Sequence, residues 1–160
     1  MIQLLNDKTF DFLYCQENEQ YNNKKGILRG LHYQAYPYAQ VKCCHVIKGK
    51  VLSVAVDIRV NSKNFGKYTA YELDDVLKQR MLIPKGFAHG YITLSDESIL
   101  IYQVNEYFNL SAMRGLAFDD KDLNIDWKIP NDKVIVSFRD KNNLALRNLE
   151  RYREEINDEE

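Results

Sequence analysis

The run KVLSVAVDI, residues 50 to 58, constrains the fold more than any other stretch of the chain. Alternate side chains of an extended strand share a face, so Leu52, Val54, Val56 and Ile58 lie together. Val51 and Ala55 on the opposite face are apolar as well. A strand that is apolar on both faces must be covered on both, as in a sandwich or a small barrel.

The neighbouring sequence repeats the β pattern. VKCCHVI precedes that run, and Lys48-Gly49-Lys50 between them reads as a hairpin turn. FGKYTAYELD alternates again and ends in a turn at Asp74-Asp75. RMLIPKGFAHGYITL is a strand broken by Pro84-Lys85-Gly86, and SILIYQVNEYF is a further strand running into polar Asn105 and Glu106. Beyond residue 108 the pattern changes. DDKDLNIDWKIP is acidic and turn-rich, and it carries the sole tryptophan, Trp127, as expected of a loop packed over one end of the β body. Ala145, Leu149, Tyr152 and Ile156 then recur at helical spacing and predict an amphipathic helix over about 142–156. Many short strands, Gly-rich turns and one terminal helix predict a mainly β domain, a jelly-roll barrel or sandwich, spanning residues 1–160 with its core over about 16–142.

Charge and cysteine usage narrow the function. The 22 basic and 23 acidic residues leave a net charge of −1, which argues against a nucleic-acid binder working through a broad basic face. No apolar run approaches the roughly 18 residues of a membrane span, and MIQLLNDKTF meets Asn6 and Asp7 too early for a signal peptide. Cys43 and Cys44 are strand neighbours pointing to opposite faces, so they are badly placed to bridge each other. A reduced, cytoplasmic chain is expected.

The chemistry-bearing residues cluster. Arg29, His32, Tyr33 and Gln34 sit within one short strand, GILRGLHYQ, and His89 sits in a second, GFAHGY. Histidine is the default proton-transfer group near neutrality, although a lone buried histidine is more often structural. His45 has only Lys42 and Lys48 for polar company and reads as structural. Arg29, Lys42 and Arg59 lie near strand ends. Such cations are commonly solvated, but Arg29, three residues before His32, is placed to hold a phosphate by paired hydrogen bonds. Tyr102 is one of 11 tyrosines, and taken singly it reads as core. Asp140, between a short β run and the helix, reads on its own as a helix N-cap. No His-x-His pair is present, so a metal centre of the kind carried by two histidines on one strand face is not expected.

Seven stretches in order, KKGILRGLHYQ, AQVKCCHVIKGKVLSVAVDIR, FGKY, IPKGFAHGYITLSDES, LIYQVNEYF, FDDKDLNIDW and SFRD, resemble the signature of the dTDP-4-dehydrorhamnose 3,5-epimerase family over roughly residues 16–142. The resemblance implies a cupin-type jelly roll used without a metal or other cofactor, usually as a homodimer. It implies a nucleotide-linked 4-keto-6-deoxy sugar as substrate, in deoxysugar synthesis for a surface polysaccharide. Matched position by position, His32 takes the family's base, Asp140 its carboxylate partner, Tyr102 the acid on the far face and Lys42 the lysine near the ketone oxygen. His89, Arg29, Gln34 and Arg59 are expected to contact substrate. The chain departs from the family at its beginning, where MIQLLNDKTFDFLY lacks the arginine-bearing segment that helps to grip the nucleotide. Two alternatives share the barrel: a ketoisomerase of similar keto-sugars, and a domain that binds a sugar nucleotide without catalysis.

Overall fold

The computed structural model describes residues 1–6 and 12–152. Among the described residues eleven strands carry the fold: β1 (Gln3–Leu5), β2 (Gln16–Asn22), β3 (Ile27–Gln34), β4 (Lys42–Lys48), β5 (Lys50–Asp57), β6 (Tyr68–Asp74), β7 (Arg80–Ile83), β8 (Phe87–Thr93), β9 (Ser98–Val104), β10 (Met113–Gly115) and β11 (Ile135–Val136). One sheet has the order β1-β7-β4-β9-β2, and the other β10-β3-β8-β5-β6, with β11 added beside β3. Every pairing between these strands is antiparallel except β11 on β3. These two facing sheets are the mainly β, cupin-like architecture expected from the sequence.

The turn at Lys48–Lys50 is not a hairpin. β4 bonds to β7 and β9 in one sheet, whereas β5 bonds to β6 and β8 in the other, so the chain changes sheets at Gly49. Gly49 has φ +73, and a Cβ there would lie 2.1 Å from the Glu97 carbonyl oxygen, so the corner admits only glycine. The break at Pro84–Gly86 is likewise a change of sheet, from β7 to β8.

The double-faced run in β5 now has its two covers. Val51 and Ala55 face the other sheet and pack with Cys44, Val46, Met81 and Leu100. Leu52, Val54, Val56 and Ile58 face away from it and pack with Leu28, Leu31 and Ile92. That second face is roofed by the chain after residue 115, through Leu116, Leu123, Trp127, Leu146 and Leu149. Trp127 donates its indole N–H to the Phe118 carbonyl at 2.8 Å, which satisfies its one polar atom inside the layer.

At the C-terminal end the helix is shorter and tighter than its periodicity predicts. Residues 142–145 are not helical, because Leu144 pairs as a parallel bridge with Leu116. A 3-10 stretch follows over Leu146–Tyr152, and the remainder of the expected helix, 153–156, lies outside the described residues. Among the described residues no helix is long and apolar enough to cross a membrane. Cys15, Cys43 and Cys44 are free.

Candidate active site

Strand β3 builds the site by breaking the alternation of a strand. Arg29 and His32 are three residues apart and would ordinarily face opposite ways. Arg29 pairs with Tyr91 and His32 with His89, so β3 uses three steps where β8 uses two, and the register shifts between them. This bulge sends Leu28 and Leu31 to the outer layer and both Arg29 and His32 into the cavity between the sheets. Gly30 occupies the bulge at φ +120, and a Cβ on it would meet the Gly90 Cα at 2.6 Å. Two glycines thus face each other across the β3–β8 pair.

Asp140 arrives from the far end of the sequence. β11 lies along β3, with Ile135 opposite Ile27 and Val136 opposite Leu28, and the one-turn helix α1 (Phe138–Lys141) follows directly. Ser137 is the N-cap, accepting from the Asp140 N–H at 3.1 Å, so Asp140 is not the cap that its position suggested. Its carboxylate turns inward, buried, with Oδ1 at 2.6 Å from Nε2 of His32 and Oδ2 accepting from the Gly30 N–H at 3.2 Å. Burial alone would raise the carboxyl's pKa. The hydrogen bond and charge of His32, with those of Gly30 and Ser137, outweigh burial and hold it below the usual carboxylate range.

The opposite sheet supplies Lys42 from β4 and Tyr102 from β9, both lining the same cavity of about 700 Å³. Lys42 is buried, donates from Nζ to the His32 carbonyl at 3.4 Å, and has its pKa pushed down to about 8 by that burial. Burial raises the Tyr102 phenol, and the Arg29 charge opposes it. His89 is 7 % exposed and lies next to His32 in register, with Nε2 at 2.9 Å from the Ser53 hydroxyl. Burial, then the charges of Lys42 and His32, hold its pKa well below that of an ordinary imidazole.

The remaining expected residues divide. Arg29 reaches the cavity, with Nε donating to Asn22 Oδ1 at 3.1 Å. Gln34 also lines it, but its amide is spent on backbone: it donates to the carbonyls of Tyr38 and Tyr107 and accepts from the Asn109 N–H. Gln34 thereby ties the loop at Tyr38 to the loop at Tyr107–Asn109. Arg59 does not line the cavity. It pairs with Asp57 at 2.6 Å, donates to Ser62, and lies over the Phe87 ring at 4.9 Å. His45 faces away from the cavity, opposite Arg80 and Ile101.

Sequence reasoning missed one wall. Gln16, Asn18 and Gln20 of β2 line the cavity, while Glu17 and Glu19 between them are exposed. The signal is amides at every second position, and a strand face without apolar residues does not resemble a core. Ser137 and Arg139, flanking the carboxylate end of the site, also line it.

A family model described as dTDP-4-dehydrorhamnose 3,5-epimerase matches residues 3–148. The chain is 43% identical over 118 residues to the dTDP-4-dehydrorhamnose 3,5-epimerase of Shigella flexneri, covering 74% of this chain and 65% of that protein. It is 40% identical over 135 residues to the one from Methanothermobacter thermautotrophicus, covering 84% and 72%. Among solved structures, the dTDP-4-dehydrorhamnose 3,5-epimerase of Elizabethkingia anophelis is similar with a TM-score of 0.83 at 38% identity, over 85% of this chain and 74% of that one. A dTDP-6-deoxy-D-glucose-3,5-epimerase of Legionella pneumophila, in complex with dTDP-4-keto-L-rhamnose, gives a TM-score of 0.80 at 36% identity, over 84% and 70%.

Proposed function

The chain belongs to the dTDP-4-dehydrorhamnose 3,5-epimerase family, and on that premise we propose that it is an isomerase inverting carbon 3, carbon 5 or both of a nucleotide-linked 4-keto-6-deoxy sugar, without a metal. The ketone acidifies hydrogens on the adjacent carbons. A base removes one, the electron pair delocalises onto the ketone oxygen as an enolate, and a proton returned on the other face inverts the centre.

The observation that carries this reading is the His32–Asp140 pair facing Tyr102 across a cavity that also holds Lys42. Nε2 of His32 is engaged by Asp140, so Nδ1 is the nitrogen left to take the carbon-bound proton, and the carboxylate stabilises the imidazolium that results. Tyr102, on the opposite sheet, returns a proton to the far face. Lys42, kept dry by burial, supplies positive charge to the enolate oxygen, where low dielectric strengthens its effect. Arg29, at the substrate end, suits a phosphate oxygen. We place the enzyme in the cytoplasm, as a homodimer, in deoxysugar formation for a surface polysaccharide.

The test is proton NMR of dTDP-, GDP- and CDP-linked 4-keto-6-deoxy sugars incubated with the protein in heavy water. Loss of the carbon 3 or carbon 5 signal is expected for one of them. No exchange with any of the three would overturn the assignment.

A further inference from the structure

We propose that Ser53 is a positioning residue, its hydroxyl donating to Nε2 of His89 and so holding this imidazole in the tautomer that presents Nδ1–H to the cavity. Ser53 sits in β5 at 0 % exposure, where a hydroxyl among Val51, Val54 and Ala55 needs a reason. Its oxygen lies 2.9 Å from Nε2 of His89 and 3.6 Å from Sγ of Cys44.

Two proton arrangements satisfy these distances. Nε2–H of His89 can donate to Ser53, which then donates to the Cys44 sulfur. Alternatively, Ser53 donates to Nε2. The second is the stronger, because it places the hydroxyl proton on an imidazole nitrogen at 2.9 Å instead of on a weak sulfur acceptor at 3.6 Å. Cys44 has its own outlet, donating its thiol hydrogen to the Met81 carbonyl at 3.6 Å. A neutral imidazole that accepts at Nε2 carries its single proton on Nδ1.

The surroundings keep His89 neutral. Its titratable neighbours are Lys42, His32 and the Cys44 thiol, and the Cys44 thiol is itself pushed up to about 12 by burial. None of these is a carboxylate. His32, its register partner, has Asp140 instead. Two adjacent histidines thus receive opposite environments: His32 has a carboxylate partner, and His89, with none, stays a neutral donor. That division is how a single site separates base from electrophile. The Nδ1–H of His89 joins Lys42 in meeting the charge that develops on the substrate oxygen. This use of the proton rests on the epimerase reading; the tautomer does not.

The experiment is nitrogen-15 NMR of histidine-labelled protein without substrate, for the wild type, Ser53→Ala and Ser53→Thr, followed by the heavy-water exchange assay. Wild type and Ser53→Thr are expected to show His89 protonated on Nδ1 and bare on Nε2, while Ser53→Ala gives a tautomer mixture. Removing one preorganised donor costs roughly 10²–10³-fold in rate. Loosening it through Ser53→Ala is therefore expected to lower kcat at least about tenfold with a smaller change in KM, and Ser53→Thr restores most of the rate. A wild-type His89 protonated on Nε2, or a Ser53→Ala spectrum identical to wild type, overturns the proposal. Absence of exchange by the wild type on every substrate overturns the epimerase reading instead, and the spectra still decide the tautomer.

Discussion

Asp140 and His32 are 108 positions apart in the chain and 2.6 Å apart in space, joined because β11 lies along β3 and delivers α1 to the bulge. The second oxygen of Asp140 holds the Gly30 N–H, so one carboxylate fixes both the His32 imidazole and the backbone kink beside it. Asp140→Asn separates the two duties. The carboxamide oxygen can still accept from Gly30, but no negative charge remains beside the imidazole. Proton transfer by a positioned side chain contributes about 10²–10⁴-fold. Exchange in the variant is expected to fall by about that range while thermal unfolding stays near wild type. Wild-type exchange by Asp140→Asn would sink the dyad.

The bulge itself can be tested. Gly30→Ala places a Cβ against Gly90 in a backbone conformation that alanine rarely adopts. Strain of that kind costs on the order of 1–3 kcal/mol. Urea unfolding should therefore show a loss of that size. Exchange should fall by more than the unfolded fraction accounts for, since relaxing the bulge turns His32 out of the cavity. A variant equally stable and equally active would mean that the register shift does not orient the base.

Leu149, fully buried, packs from the C-terminal 3-10 stretch into the outer layer with Trp127 and Leu116. Leucine-to-alanine changes at such sites typically cost about 2–5 kcal/mol. Leu149→Ala is expected to lose stability in that range, followed by the fluorescence of Trp127, the only tryptophan. If the residues after 142 were an appendage and not part of the core, the midpoint would not move.

The β content and the two-faced β5 were legible because burial leaves a periodic apolar record; the segment with Trp127, expected over one end of the β body, instead roofs the outer face of a sheet. The hairpin reading at Gly49 failed for a physical reason: tight turns between two strands look alike whether the strands pair or pass to different sheets, since partner choice is set by distant residues. Arg29 and His32 were singled out together although strand alternation alone would separate them, and the bulge that unites them hinges on the Gly30–Gly90 approach, which no local pattern records. Only the family resemblance points to Asp140 in the sequence. Locally it sits in a one-turn helix capped by Ser137, and only a parallel pairing across more than a hundred residues gives it a partner. Arg59 had the right charge and position near a strand end, yet Asp57 two residues earlier claims it.

Lys42 should make stability and activity respond to pH in opposite directions. Its folded pKa is about 8 because burial disfavours the ammonium, while an unfolded lysine titrates near about 10.4. Between those values the unfolded chain keeps the proton and the folded chain has released it. The unfolded state then binds more protons, and the contribution of Lys42 to stability rises with pH across that window. If Lys42 serves the enolate oxygen as proposed, activity behaves the other way: the ammonium is present below about pH 8 and lost above it, so exchange should decline through that value. Rates and unfolding midpoints measured from pH 7 to 10 should diverge accordingly in the wild type. Lys42→Met, which keeps the buried stem without the charge, should be slow throughout and should lack the lysine's share of the stability gain. A wild-type rate that stays level through pH 9, or a Lys42→Met variant with the same pH profile as wild type, would remove Lys42 from the reaction.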